Sequence, residues 1–135
     1  VRDAFLRTRS DHARELAEDY VELIHQLGQR PAESDAPLRV RTVHLERALG
    51  VSQPTVTKTL RRLAREGLVV VTPREGVELT EQGRDLAAQS RDRHALVVAF
   101  LQSLGVSQAQ AEIDAEGMEH HASPETLAAM RRVLT

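Results

Sequence analysis

The chain has 135 residues, 41% of them hydrophobic and 28% charged, with a formal net charge of -2 and no cysteine. That is a globular balance with enough chain for a real core, and it excludes disulfides, thiolate zinc sites, iron–sulfur clusters and cysteine nucleophiles. Three aromatic residues (Phe5, Tyr20, Phe100) are too few for a base-stacking RNA-binding sheet. No apolar run reaches the roughly 18 residues of a membrane span and no signal peptide is visible, so a cytoplasmic protein with no membrane partner is expected.

Ser10 is positioned to cap a helix running to about Gln29, because Leu16, Tyr20, Leu23, Ile24 and Leu27 repeat at helical spacing. Residues 30–37, RPAESDAP, read as a polar linker, and Leu38–Arg41 as a short strand. Thr42 can cap a short helix that Gly50 ends. Ser52 can cap a second, with Pro54 in its first turn and Val56, Leu60 and Leu63 facing inward. Gly67 stops that helix, and a β-rich hairpin follows, Leu68–Thr72 and Val77–Leu79 about a turn at 73–76. Thr80 opens a long helix to about Ser103, with Leu86, Leu96, Val97, Phe100, Leu101 and Leu104 on its apolar side. After Gly105, Ser107 caps a helix expected to carry Ile113 and Met118 inward, and Ser123 with Pro124 starts a last one through Leu134. The expected fold is mainly α: a winged helix-turn-helix DNA-binding domain (1–80) and an all-helical domain (81–135) joined by one long linking helix.

The small net charge conceals a segregation. Between Val51 and Arg74 five cations stand against Glu66 alone, a net +4; between Val106 and Glu125 there are five acids, two histidines and no Lys or Arg. Charge runs often only keep a surface wet, but here both fall where chemistry can use them. Gln53, Thr55, Thr57 and Lys58 lie near the start of the second short helix, where side chains can reach base edges. Arg61 and Arg62 further along, and Arg74 at the hairpin tip, suit phosphates. In the acidic segment, DAEGMEHH sets Glu116, Glu119 and His120 at i, i+3, i+4, on one helical face. Carboxylates so close repel unless a cation sits among them. Asp19 and Glu22 form a second i, i+3 pair beside an apolar stripe, and His94 lies amid apolar neighbours; six ligands from three helices would close an oxygen and nitrogen site. Alone, a Glu-x-x-Glu is usually a solvated face and a lone histidine a core hydrogen-bonder; the joint pattern is what points to metal. His25 and His121 read as structural or surface residues.

In the order and spacing of EDYVELI, GVSQPTVTK, RHALVVAFL, LGVS and AEGMEHH, the chain resembles the diphtheria-toxin-repressor family of metal-dependent repressors, in its manganese-responsive branch, from Glu15 to about Arg132. GVSQPTV alone would indicate only a helix-turn-helix. The resemblance implies a homodimeric regulator, dimerising through the C-terminal helical domain and binding a double-stranded DNA operator, with Mn²⁺ as cofactor at two ions per subunit. It implies Asp19, Glu22, His94, Glu116, Glu119 and His120 as ligands, with Glu22, Glu116 and Glu119 shared between ions, His94 serving one and His120 the other. The iron-responsive branch has Met and Cys where this chain has Asp19 and Glu119, and hard oxygen donors suit Mn²⁺ better than sulfur. Two departures stand out: RPAESDAP is longer than typical members need, and no counterpart of the SH3-like domain of the longer iron-responsive relatives is expected.

The implied activity is repression of manganese uptake genes, with no enzymatic function and no catalytic residues. Two competing readings are a metal-independent winged-helix regulator sensing a small molecule, in which the carboxylates decorate the surface, and a binuclear metallohydrolase. The second needs an open coordination position and a substrate pocket, whereas the ligands are all used and the sequence shows no separate nucleophile or oxyanion motif.

Overall fold

The structure, a computed structural model, describes residues 2–29 and 39–135. The expected linker at 30–37 lies outside the described residues. Six helices and one hairpin follow in order: α1 (Arg2–Gly28), α2 (Thr42–Leu49), α3 (Gln53–Arg65), β1 (Val69–Thr72), β2 (Gly76–Leu79), α4 (Glu81–Ser103), α5 (Gln108–His121) and α6 (Pro124–Leu134). They form two compact units: residues 17–87, and residues 1–16 with 88–135. α1 and α4 each contribute to both.

The first unit is a winged helix-turn-helix. Its core gathers Tyr20, Val21 and Ile24 of α1 with Leu45 of α2 and the expected Val56, Leu60 and Leu63 of α3. The turn between α2 and α3 needs a left-handed residue, and Gly50 supplies it at φ 66°, its N–H donating to the Glu46 carbonyl at 2.9 Å. β1 and β2 pair antiparallel, Val69 opposite Leu79 and Thr72 opposite Gly76, around a turn in which Arg74 takes a left-handed φ of 67°. The strand expected at 38–41 is a single bridge, Val40 to Val77, with Leu38 outside the described residues. The Val77 N–H donates to the Val40 carbonyl at 2.7 Å. The Thr80 hydroxyl then donates to the Gly67 carbonyl (2.7 Å) and accepts from the Gly83 N–H (3.0 Å), so one side chain ends the wing and caps α4.

The second unit packs Val97, Val98 and Leu101 of α4 on Ala111 and Ala115 of α5 and on Leu127 and Met130 of α6. Ser107 and Ser123 cap α5 and α6 as expected, accepting from Gln110 N–H and Thr126 N–H at 3.3 and 3.1 Å. Arg14 of α1 donates to the His120 carbonyl at the C-terminal end of α5, 3.2 Å away.

Several expectations are corrected. α1 begins at Arg2, so Ser10 lies inside it and caps nothing; a continuing helix satisfies the groups the serine was meant to serve. α2 is preceded by Arg41, whose N–H donates to His44 Nδ1 at 3.0 Å, and Thr42 is already helical. Ser52 bonds the Thr55 hydroxyl (3.1 Å) rather than the helix backbone. Ile113 and Met118 are not inward but exposed, at 66% and 40%. The face α5 buries is set by Ala111, Ala115 and Glu119 at i, i+4, i+8; Ile113 is two residues from Ala111, about 200° round the helix. Leu104 and Leu16 are likewise exposed.

Gly83 stands where a Cβ would lie 2.1 Å from the Leu68 carbonyl oxygen, backbone that cannot swing away. Gly83→Ala is therefore expected to destabilise the first unit by about 1–3 kcal/mol, read as a lower denaturation midpoint with helical content otherwise retained.

Candidate metal centre and DNA-facing surface

α5 is built to aim acids in one direction. Glu112, Glu116 and Glu119 stand at i, i+4, i+7, so their side chains share a stripe, and the alanines beside it let α5 come close to α4. His94, on α4, meets that stripe. Its Nε2 lies 2.6 Å from Glu112 Oε2, and its Nδ1 lies 2.8 Å from Glu119 Oε2 and 3.5 Å from Glu116 Oε1. The other oxygen of Glu119, Oε1, is 3.3 Å from Nε2 of His120. Glu119 and His120 are wholly buried, His94 is half-buried, and Glu112 and Glu116 are exposed at their outer ends.

A buried carboxylate is costly unless a positive partner compensates it. In this unit two imidazoles face Glu119, one at each oxygen. Burial alone pulls the His94 pKa down, but the hydrogen bond to Glu112 and the charges of Glu119 and Glu116 outweigh it and raise the group above its ordinary value of 6.5. Even so, His94 Nδ1 is buried and makes no well-directed hydrogen bond, despite the short approach of Glu119. One His94 nitrogen, one Glu116 oxygen and one Glu119 oxygen all lie within 4.8 Å of one another, a spacing that suits a shared cation. All are hard or borderline donors, fit for a divalent first-row ion.

Asp19 and Glu22 are half-buried, one turn apart on the stretch of α1 that belongs to the first unit, each with polar partners of its own. His121, expected as structural or surface, is half-exposed and sits 3.3 Å from Glu15 and 3.9 Å from Asp11, pairing the two ends of its unit. Glu112 was missed. Its signal is available in the i, i+4 step to Glu116, but an acid before a cluster of acids reads as solvated.

On α3, Gln53, Thr55, Lys58 and Arg61 are exposed, while Thr57 and Arg62 are half-buried and Arg62 pairs with Glu66 at 3.4 Å. Arg74 is exposed at the wing tip. Thr57, Arg61 and Arg74 line, with Val71 and Arg41, a groove of about 500 Å³ between α3 and the wing. Cationic rims with hydroxyls and an exposed helix face are what a duplex requires. No helix among the described residues is long and apolar enough to cross a membrane.

A sequence profile for the iron dependent repressor N-terminal DNA binding domain matches residues 13–77, and one for the iron dependent repressor metal binding and dimerisation domain matches residues 80–135. The chain belongs to the iron-dependent repressor family. The transcriptional regulator MntR of Escherichia coli is 50% identical to it over 129 residues, 96% of this chain and 79% of that protein. The HTH-type transcriptional regulator MntR of Geobacillus kaustophilus is 33% identical over 106 residues, 78% of this chain and 71% of that protein. Among solved structures, a manganese-dependent transcriptional repressor in complex with manganese superposes with a TM-score of 0.72 at 31% identity, covering 87% of this chain and 52% of that one. The manganese regulator SloR superposes at 0.70 with 26% identity, covering 87% and 53%. The chain thus spans about half the length of those two structures. As a family member it is a metal-responsive, DNA-binding transcriptional regulator, and both the winged domain and the helical domain are those of the family.

The pKa of His94 is raised by its carboxylate neighbours. Its folded value exceeds its unfolded one, so the group adds stability to the metal-free protein that is fully present below pH 6.5 and lost as pH rises through the folded value. A cation held at Nδ1 would need the neutral ring, so its binding should strengthen over the same rise. An imidazole NMR titration of metal-free protein should place His94 above 6.5; a value below it would contradict the arrangement described.

Proposed function

We propose that the chain is a manganese-responsive, metal-activated repressor of manganese uptake genes, acting in the cytoplasm as a homodimer on a double-stranded DNA operator. The observation behind this is Glu119: a buried carboxylate that faces a different imidazole with each oxygen, His94 with one and His120 with the other. A carboxylate so placed can serve two cations at once. His94 with Glu116 forms the first position and His120 the second, with Asp19 and Glu22 assigned to the same role on the sequence pattern. Manganese is favoured by the all-oxygen and nitrogen donors, by the absence of cysteine, and by similarity to regulators described as manganese-dependent.

When bound, Mn²⁺ supplies the positive charge that this acidic ligand set lacks. The chain's own residues do the rest. His94 gives up the proton that offsets Glu116 and Glu119 in the metal-free state. With two ions held, the formal charge per subunit moves from -2 to about +2, toward affinity for a polyanion. Gln53, Thr55, Thr57 and Lys58 present the polar groups that read bases, and Arg61, Arg62 and Arg74 the guanidiniums that hold phosphates. Because metal and DNA favour the same state, each should tighten the other by the same factor. Leu104, Ile113 and Met118, with Val133 and Leu134 on α6, leave apolar surface uncovered in the single chain, and a second copy is the occupant proposed for it. Two copies would present their α3 helices to half-sites one DNA turn (about 34 Å) or a multiple apart. No hydrolytic role is assigned, since the acids and imidazoles are proposed as ligands and the sequence carries no separate nucleophile or oxyanion motif.

The test is duplex binding, with a probe selected from a random pool in the presence of Mn²⁺ and then titrated in Mn²⁺ and in EDTA. Binding should be lost, by about 10-fold or more, in EDTA; equal affinity in both would end the metal-activation claim. His94→Ala and Glu119→Ala should each abolish the Mn²⁺ response with the helices intact by circular dichroism. Lys58→Ala should weaken duplex binding while leaving Mn²⁺ affinity unchanged.

A further inference from the structure

We infer that Glu112 is the positioning residue of the metal centre: it accepts the Nε2 proton of His94 and thereby holds the ring with Nδ1 aimed between Glu116 and Glu119. This rests on the metal-centre reading given above.

A neutral histidine has one proton for two nitrogens, and the hydrogen bond made by one nitrogen decides which of them is left to bind a cation. His94 is surrounded by carboxylates on both sides of its ring, so without a fixed partner either nitrogen could be the donor. The geometry breaks that symmetry. Among the described residues the partner at Nε2 is Glu112, at 2.6 Å and in hydrogen-bonding orientation, while Glu119 and Glu116 are both on the Nδ1 side. A carboxylate accepts, so the proton belongs on Nε2 and the Nδ1 lone pair is left facing the other two acids. The two ring nitrogens point in diverging directions. An oxygen bonded at Nε2 is therefore outside the reach of an ion held at Nδ1, and Glu112 orients the ligand rather than being one. Consistently, the His94 nitrogen that groups with Glu116 and Glu119 does so without Glu112. A carboxylate behind an imidazole also raises its basicity as a ligand. α5 thus carries the orienting acid one turn before the coordinating ones, and the same helix that presents the ligands sets the ring they share. Glu112 is half-exposed, so its removal leaves no buried hole.

The experiment uses wild-type protein, Glu112→Ala and Glu112→Gln. Imidazole nitrogen chemical shifts of metal-free protein, at a pH where His94 is neutral, report the tautomer; calorimetric titration with Mn²⁺ reports affinity and the number of ions bound. Wild type should show the proton on Nε2. Glu112→Ala should lose that preference and bind Mn²⁺ about 10-fold or more weakly, with the number of ions unchanged. Glu112→Gln, whose amide oxygen still accepts, should restore the tautomer and most of the affinity. A wild-type proton on Nδ1, or wild-type Mn²⁺ affinity in Glu112→Ala, would overturn the inference. Loss of one bound ion in Glu112→Ala would overturn it too, by making Glu112 a ligand. If wild type binds no Mn²⁺, the metal-centre reading fails, and the nitrogen shifts of wild type and Glu112→Ala still decide whether Glu112 sets the ring.

Discussion

Taking the Glu119 carboxylate out of water sets the terms for the helical unit. A buried anion must have positive partners close at hand, and Glu119 has an imidazole at each oxygen: His94, reaching from α4, and His120, next to it on α5. Ala111 and Ala115, on the same helix, are buried in one cluster with Val97, Val98 and Leu101 of α4. Glu116 and Glu112 then add negative charge on two sides of the same ring. An imidazolium can balance only part of that charge and a doubly charged cation more, which is the electrostatic ground for the cation proposed there.

The winged unit depends on a different economy, in which backbone geometry does the positioning. Gly50 turns the chain between α2 and α3, and Gly83 lets α4 start against the carbonyl of Leu68. The Thr80 hydroxyl joins the end of α3 to the start of α4 by bonding at once to Gly67 and Gly83. With the scaffold so determined, the exposed face of α3 is free to be chemically specialised, and its cations need not contribute to folding. That is why the basic and acidic segments of one chain can nearly cancel in total and still act separately.

Much of this was legible in the residues themselves. Periodicity found α3 and its buried Val56, Leu60 and Leu63, because a helix with one apolar stripe can face its core in only one way. Serine before proline found the start of α6, and glycine the ends of α2 and α3. The Glu116, Glu119, His120 spacing marked the acidic face of α5. What failed did so for a common reason. Ile113 and Met118 were sent inward on hydrophobicity alone, whereas α5 buries alanines, a glutamate and a histidine. Where a polar site is the thing being buried, apolar residues are no guide to the inner face. Glu112 was passed over for the converse reason, since an exposed acid looks the same in sequence whether it orients a ring or meets only water.

The left-handed turn at Arg74 has a consequence of its own. A residue with a Cβ held at φ 67° costs on the order of 1 kcal/mol relative to glycine. Glycine at that position would relax the hairpin and make the wing easier to form, yet it would strip the tip of its guanidinium. The wing therefore trades a little of its own stability for an exposed cation in the turn of its hairpin, and with the duplex contact proposed for Arg74, engineering for heat resistance at this turn would work against DNA binding.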